Sequence, residues 1–223
     1  MKLVEYPDAE MMMMDLADKL ASELKNCLLL HDHASFAVPG GTTPGPIFDS
    51  LCAVDLDWTR VHVMLTDERW VPEASQRSNT RLLRERLLVN RAAAATYVPL
   101  YADAGTPEEK LPELAAALEP ELPVSVMLLG MGSDMHTASI FPGADQLNHA
   151  LHGDEPLVAM RAPGAPEPRI TLSAKVLNSA MNRHLVIVGG AKREALERAR
   201  HLPPEEAPVA AILSGTTVHW AER

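Results

Sequence analysis

The segment Val124-Ser125-Val126-Met127-Leu128-Leu129-Gly130-Met131-Gly132-Ser133-Asp134-Met135-His136-Thr137-Ala138-Ser139 decides the fold class of this chain. Five of its first six residues are apolar, and Pro123 and Gly130 bound the run. That pattern fits a strand covered on both faces, as in the parallel sheets of α/β proteins. Glycines follow, and then an acid and an imidazole stand two residues apart. In open parallel sheets ligands collect just beyond the carboxyl ends of the strands, so Asp134 and His136 fall at the expected active edge. A carboxylate at this spacing fixes the imidazole tautomer and supports its protonated form, as a general-base histidine requires. An isolated Asp-x-His also arises from loop groups that merely satisfy one another, so its weight depends on what converges with it.

Four further runs carry a strand signature: Ser35–Val38, Val61–Thr66, Arg169–Leu172 and His184–Val188. Helical patterns separate them at 8–30, 44–53, 78–89, 107–119, 173–181 and 191–201. The alternation predicts an α/β fold with a mostly parallel, doubly wound sheet and helices on both faces. In the first helix Leu16, Leu20, Leu24 and Leu28 make one apolar stripe, and Met11 to Met14 read as core filling at its start. Ser78-Asn79-Thr80 and Thr106-Pro107-Glu108-Glu109 supply helix starts. The proline-rich pieces 163–168 and 203–208 read as loops, and no internal repeat or linker divides residues 1–223, which are expected to form one domain.

Composition narrows the function classes. With 47% hydrophobic and 22% charged residues among 223, the chain can bury a substantial core. A formal charge of −10 opposes nucleic acid or an anionic membrane as partner, so an anionic ligand needs a local positive site. The two cysteines, Cys27 and Cys52, form no C-x-x-C pair, and no long apolar span or secretory leader appears. A cytoplasmic protein, monomeric or a small homo-oligomer, is expected.

Three other loops fall at strand ends. Pro39-Gly40-Gly41-Thr42-Thr43-Pro44-Gly45 offers close backbone approach, two hydroxyls and a helix start, and reads either as a phosphate cradle or as a plain strand-to-helix turn. It is neither the dinucleotide fingerprint nor a P-loop. Asp67-Glu68-Arg69 follows the Val61–Thr66 run. Lys192, after Gly189-Gly190, opposes the helix dipole in a first helical turn unless an anion sits there. Arg169 brings a guanidinium into an apolar strand and calls for an anionic partner, whether ligand or structural. His31-Asp32-His33 looks like a metal triplet, but it closes a helix where histidine suits the C-terminal dipole. No metal is expected there, His62 reads as a hydrogen-bonded core histidine, and His149, His152, His184, His201 and His219 have no Cys or carboxylate at ligand spacing.

Taken in order, Gly40-Gly41-Thr42-Thr43-Pro44, Thr66-Asp67-Glu68-Arg69-Trp70-Val71-Pro72 with Ser78-Asn79, Gly130 to Pro142, Arg169-Ile170-Thr171-Leu172 and Val188-Gly189-x-x-Lys192 closely resemble the 6-phosphogluconolactonase family of the sugar-phosphate isomerase-like superfamily. The resemblance implies a Rossmann-like fold and hydrolysis of 6-phospho-D-glucono-1,5-lactone to 6-phospho-D-gluconate, in the oxidative branch of the pentose phosphate pathway, without metal or organic cofactor. In that chemistry His136 is the expected base, poised by Asp134, and Arg69 or the backbone N–H groups at Gly40 and Gly41 stabilise the oxyanion. Arg169, Lys192, Thr42 and Thr43 hold the phosphate, and Asp67 orders sugar hydroxyls or Arg69. No G-x-S-x-G elbow is present, which disfavours an acyl-enzyme. One position departs: the family's loop reads Asp-Gly-His, and here Met135 replaces the glycine. A long side chain rarely sits at positive φ, so a negative φ is expected at Met135.

Two rivals remain. An amino-sugar-phosphate deaminase-isomerase has a similar loop, but its family carries a Glu shortly after the histidine, whereas no acid follows His136 before Asp145. A non-catalytic sugar-phosphate sensor needs an output module such as a helix-turn-helix, for which a single helix before the Ser35–Val38 strand leaves no room.

Overall fold

The computed structural model describes residues 1–223. The chain begins with β1 (Lys2–Tyr6), α1 (Ala9–Leu30), β2 (Ala34–Val38), α2 (Gly45–Leu51), β3 (Val61–Leu65) and β4 (Asp67–Arg69). It continues through α3 (Asn79–Arg86), β5 (Thr96–Val98), α4 (Leu111–Leu118), β6 (Val126–Leu129), α5 (Leu147–His152) and β7 (Leu157–Met160). The last elements are β8 (Arg169–Leu172), α6 (Ala174–Ser179), β9 (Asn182–Val188), α7 (Gly190–Ala199) and β10 (Thr217–Ala221).

Seven strands form a parallel sheet in the order β1-β10-β9-β6-β2-β3-β5. The chain builds outward from β2 through β3 to β5, then crosses back to lay β6, β9 and β10 on the other side. Strand order therefore reverses between β2 and β6, which pair through Phe36↔Val126 and Ala37↔Met127. Loops leaving two such strands diverge to opposite faces and open a crevice between them. Both strands are buried along their whole length, as their continuous apolar runs require.

Local signals match the helices. Asp8 caps α1 by accepting from Met11 N, Ser78 caps α3 through Arg81 N, and Thr106 and Glu109 form a capping box ahead of α4. The methionine run divides: Met12 and Met13 are buried, whereas Met11 and Met14 are more than half exposed. Four consecutive residues cover more than one helical turn, so only part of the run can face the core. No helix is long and apolar enough to cross a membrane.

One expected strand sits elsewhere. Arg169–Leu172 does not join the parallel sheet; as β8 it is the middle of a separate antiparallel sheet ordered β4-β8-β7. The Val61–Thr66 run ends at Leu65, and beyond Thr66 the backbone leaves the main sheet to pair Asp67 with Thr171 and Arg69 with Arg169. Side chains directly opposite on neighbouring strands share a face, so this pairing sets two guanidinium groups side by side.

Candidate functional site

A cleft of about 260 Å³ opens at the carboxyl edge of the parallel sheet, over the reversal between β2 and β6. Its walls include Gly40, Gly41, Thr42 and Thr43 after β2, Asp67 and Arg69 on β4, His136 after β6, Arg169 on β8 and Lys192 in the first turn of α7. Every residue anticipated for the site thus lines one cavity except Asp134, which stands behind His136.

The His136 ring Nδ1 lies 2.5 Å from Asp134 Oδ1, and the same oxygen accepts from His136 N at 3.2 Å. An ionised carboxylate only accepts, so Nδ1 carries the proton and Nε2 keeps its lone pair. Partial burial alone raises the Asp134 carboxyl, yet the hydrogen bond and charge of His136 outweigh it and hold the group below its ordinary value. Phe141 stacks on the His136 ring at 4.2 Å between centroids and also carries the Arg169 guanidinium at 5.1 Å, so one aromatic ring positions two polar groups.

The loop that presents this pair is tight. Gly132 N donates to His136 O and Met135 N to Gly132 O, and a side chain at Gly132 would occupy the space of the His136 ring and the Asp134 carboxylate. Met135 has φ +68° and Ala138 has φ +50°, so left-handed residues flank the histidine on both sides. The negative φ expected at Met135 is therefore incorrect. Its carbonyl accepts from Val209 N at 3.0 Å and its side chain packs on the core, contacts that hold a non-glycine residue in a conformation it disfavours.

Three cations converge on the cleft without a carboxylate ion pair. Arg69 gives Nη1 to Arg77 O (2.8 Å) and Asn79 Oδ1 (3.0 Å) while its Nε is buried without a partner. Arg169 also leaves Nε buried and unpartnered; burial disfavours its charge and nearby Asp67 supports it. Lys192 Nζ donates to Met131 O, and burial lowers its pKa against the opposing pull of Asp134. In a chain of net charge −10, three cations without a carboxylate ion pair lining one cleft form the kind of local positive site that an anionic ligand demands.

Sequence reasoning missed the groups that hold these residues. Glu68, fully buried, accepts from Arg69 N (2.7 Å), Asn79 N (2.8 Å), Thr80 N and Thr80 Oγ1 (both 2.7 Å), so its carboxylate fastens β4 to the start of α3. Asn79 in turn spans Asp67 O and Arg69, and a side chain at Gly40 would run into its amide. Asp67 does not bind Arg69 through its carboxylate; Oδ2 accepts from Ser139 Oγ at 2.6 Å and Oδ1 from Thr66 Oγ1 at 3.2 Å. A charged residue after a strand and an Asn at a helix start were the only local hints of this network.

The histidines outside the cleft are better partnered than their sequence spacing suggested. His149 pairs with Glu155, His152 with Glu205 and His184 with Glu23, the partners of the last two being distant in sequence. His184 and His219 share a hydrogen bond of 3.0 Å, and burial drives His219 down to about 3.

Comparison with known proteins places nearly the whole chain in one family. A protein from Rhizobium meliloti named 6-phosphogluconolactonase is 41% identical over 215 residues, covering 92% of each chain. One of the same name from Pseudomonas aeruginosa is 39% identical over 211 residues, covering 92% of this chain and 88% of the relative. The crystal structure of a 6-phosphogluconolactonase from Shewanella baltica superposes with a TM-score of 0.96 at 33% identity, covering 99% of this chain and 97% of that one. Residues 7–220 match the family described as glucosamine-6-phosphate isomerases/6-phosphogluconolactonase, and the chain belongs to that family.

Proposed function

We propose that this protein is a lactonase that hydrolyses 6-phospho-D-glucono-1,5-lactone to 6-phospho-D-gluconate. The observation that carries the reading is a base-competent histidine, its Nδ1 proton fixed on Asp134, facing a cleft lined by three cations without a carboxylate ion pair. The lactonase names of relatives at 39–41% identity support it.

A lactone is an activated ester, so hydrolysis needs a base for water, donors for the developing oxyanion and a grip on the phosphate. His136 Nε2 takes a proton from water as its oxygen bonds to C1. Arg69 and the backbone at Gly40 and Gly41 face the oxyanion, and Arg169, Lys192, Thr42 and Thr43 hold the phosphate. When the tetrahedral intermediate collapses, the C1–ring oxygen bond breaks and the ring oxygen receives the proton from His136. The new carboxylic acid then ionises to solvent. Asp134 favours the imidazolium formed between these steps.

Deaminase chemistry fits this site less well. Asp145, the first acid after His136, accepts from Gln146 N and Arg161 N and does not line the cleft.

A lactonase assay with spontaneous hydrolysis subtracted tests the proposal: the expected result is a rate above buffer near neutral pH that survives chelator. A rate equal to buffer, or ammonia release from glucosamine 6-phosphate, refutes it.

A further inference from the structure

A second cluster of chemistry-bearing side chains lies at the opposite end of the parallel sheet from the cleft. His33 immediately precedes β2, His62 is the second residue of β3, and Glu121 ends a 3-10 turn shortly before β6. The fold thus gathers three residues from 88 positions of sequence at the amino ends of the strands whose carboxyl ends build the active edge. His62 Nδ1 lies 2.8 Å from Glu121 Oε1, and His33 Nε2 lies 3.2 Å from Glu121 Oε2. The two imidazoles stack with centroids 4.4 Å apart, and all three potential ligand atoms fall within 4.8 Å of one another.

Hydrogen bonding leaves this cluster incomplete. Glu121 is 92% buried by its 8% residual exposure, yet Oε2 accepts no hydrogen bond: the His33 ring nitrogen is close but not aligned with it. A buried carboxylate oxygen without a donor is costly, whereas a bound cation would satisfy it together with both imidazoles. His33 makes no hydrogen bond through its ring and is 39% exposed, so it is the ligand free to adjust. The backbone around it is fixed: Arg60 donates to Leu28 O (3.0 Å), His31 O (2.6 Å) and Asp32 O (2.7 Å), closing the end of α1 just before His33. Ser35 Oγ likewise holds Glu121 O at 2.8 Å.

We propose that His33, His62 and Glu121 form a binding site for a divalent cation of the zinc class, remote from the lactonase cleft and tying together the starts of β2 and β3 and the approach to β6. Two imidazoles and one carboxylate are the donor set that zinc accepts with one position left to water, and the partial exposure of both histidines leaves such a position open. Bond lengths of about 2.0–2.1 Å in a tetrahedral shell put ligand atoms roughly 3.3 Å apart, which the carboxylate contacts already approach and a turn of His33 completes. The ion takes no part in the lactonase cleft, which none of the three residues lines. This is not the sequential His31-Asp32-His33 triplet: only His33 of those three takes part.

Calorimetric titration of chelator-treated protein with Zn²⁺ tests the site. The expected result is one saturable ion assigned to this cluster, a melting temperature that rises with added Zn²⁺, and at least tenfold weaker binding in both His33→Ala and Glu121→Gln. His33→Ala alters an exposed side chain outside the strands, so it keeps the test decisive if Glu121→Gln folds poorly. A His149→Ala/His152→Ala double variant, which removes the surface His–Glu pairs, is expected to bind as tightly as the unmodified protein. Lactonase activity in the His33 variant is expected to be unchanged, which separates this site from the cleft. Absence of saturable binding below about 100 µM, or binding indifferent to His33→Ala, overturns the proposal.

Discussion

Ser139 Oγ donates a 2.6 Å hydrogen bond to Asp67 Oδ2, tying the loop that presents His136 to the strand that presents Arg69. Both residues are buried, and Ser139 N simultaneously donates to Thr171 Oγ1 on β8 at 3.1 Å. The loop bearing His136 and the antiparallel sheet bearing Arg69 and Arg169 are therefore registered to one another through a single serine.

Ser139→Ala removes the hydroxyl and leaves a buried carboxylate oxygen of Asp67 without that donor. The expected loss of stability is about 1–3 kcal/mol, read as a lower denaturation midpoint at unchanged slope. Activity is expected to fall through both kcat and KM, because the base and the cations lose their common reference. A variant as stable as the unmodified protein shows that Asp67 finds another donor.

The proposed base and phosphate grip are expected to separate kinetically. His136→Ala is expected to lower kcat by about 10²–10⁴, the range for losing a positioned general base. Arg169→Ala is expected to act mainly on KM, because a phosphate contact is shared by ground and transition states. Equal kcat losses in the two variants show that the roles are divided wrongly.

Lys192 is half-buried beside the cleft, and that burial bears on stability. Burial lowers its pKa, with Asp134 opposing, so the folded state binds the lysine proton less tightly than the unfolded chain does. The resulting penalty is present while Lys192 is charged, and it fades as pH rises through the lowered folded value toward the ordinary lysine range. Lys192→Met is therefore expected to melt no lower than the unmodified protein at neutral pH, despite the loss of the bond to Met131 O. Its KM is expected to rise, and inorganic phosphate is expected to raise its melting temperature less. A fall of several degrees shows that the bond to Met131 O outweighs the desolvation.

The parts of this protein visible in sequence are those whose signals are local. Continuous apolar runs mark β2, β3, β6 and β9, Ser78 marks a real helix start, and Thr106 caps a 3-10 turn just ahead of α4. β5, with three residues, and β1, a partly exposed edge strand, are too short or too weakly patterned to stand out. Arg169–Leu172 reads as a strand but carries no information on its partner, and only the departure of the backbone at Thr66 makes that pairing antiparallel. The same limit applies in the site. His136, Asp134 and Lys192 announce themselves by charge beside glycine-bearing turns, and Arg69 and Arg169 by charge next to apolar strand runs. Glu68, Asn79 and Ser139 act through contacts 10 to 72 residues away, which no spacing rule encodes.

Met135 exposes the same limit at a single backbone angle. Side-chain size favours negative φ there, but the loop's hydrogen bonds fix the geometry: Met135 N reaches Gly132 O, its carbonyl serves Val209 N, and φ settles at +68°. A methionine in this region carries steric strain of roughly 1–2 kcal/mol, which glycine would not. Against that gain, glycine adds about 0.4–1 kcal/mol of unfolded-state freedom and removes the packing of a partly buried side chain. The terms nearly cancel, so Met135→Gly is expected to leave the denaturation midpoint unchanged or slightly raised at constant slope. Because His136 is held by Asp134 and Phe141 independently of residue 135, kcat is expected to stay within about threefold, a change worth well under 1 kcal/mol in the barrier. A midpoint that falls by more than about 1 kcal/mol equivalent shows that the methionine's packing, not its backbone strain, dominates this position.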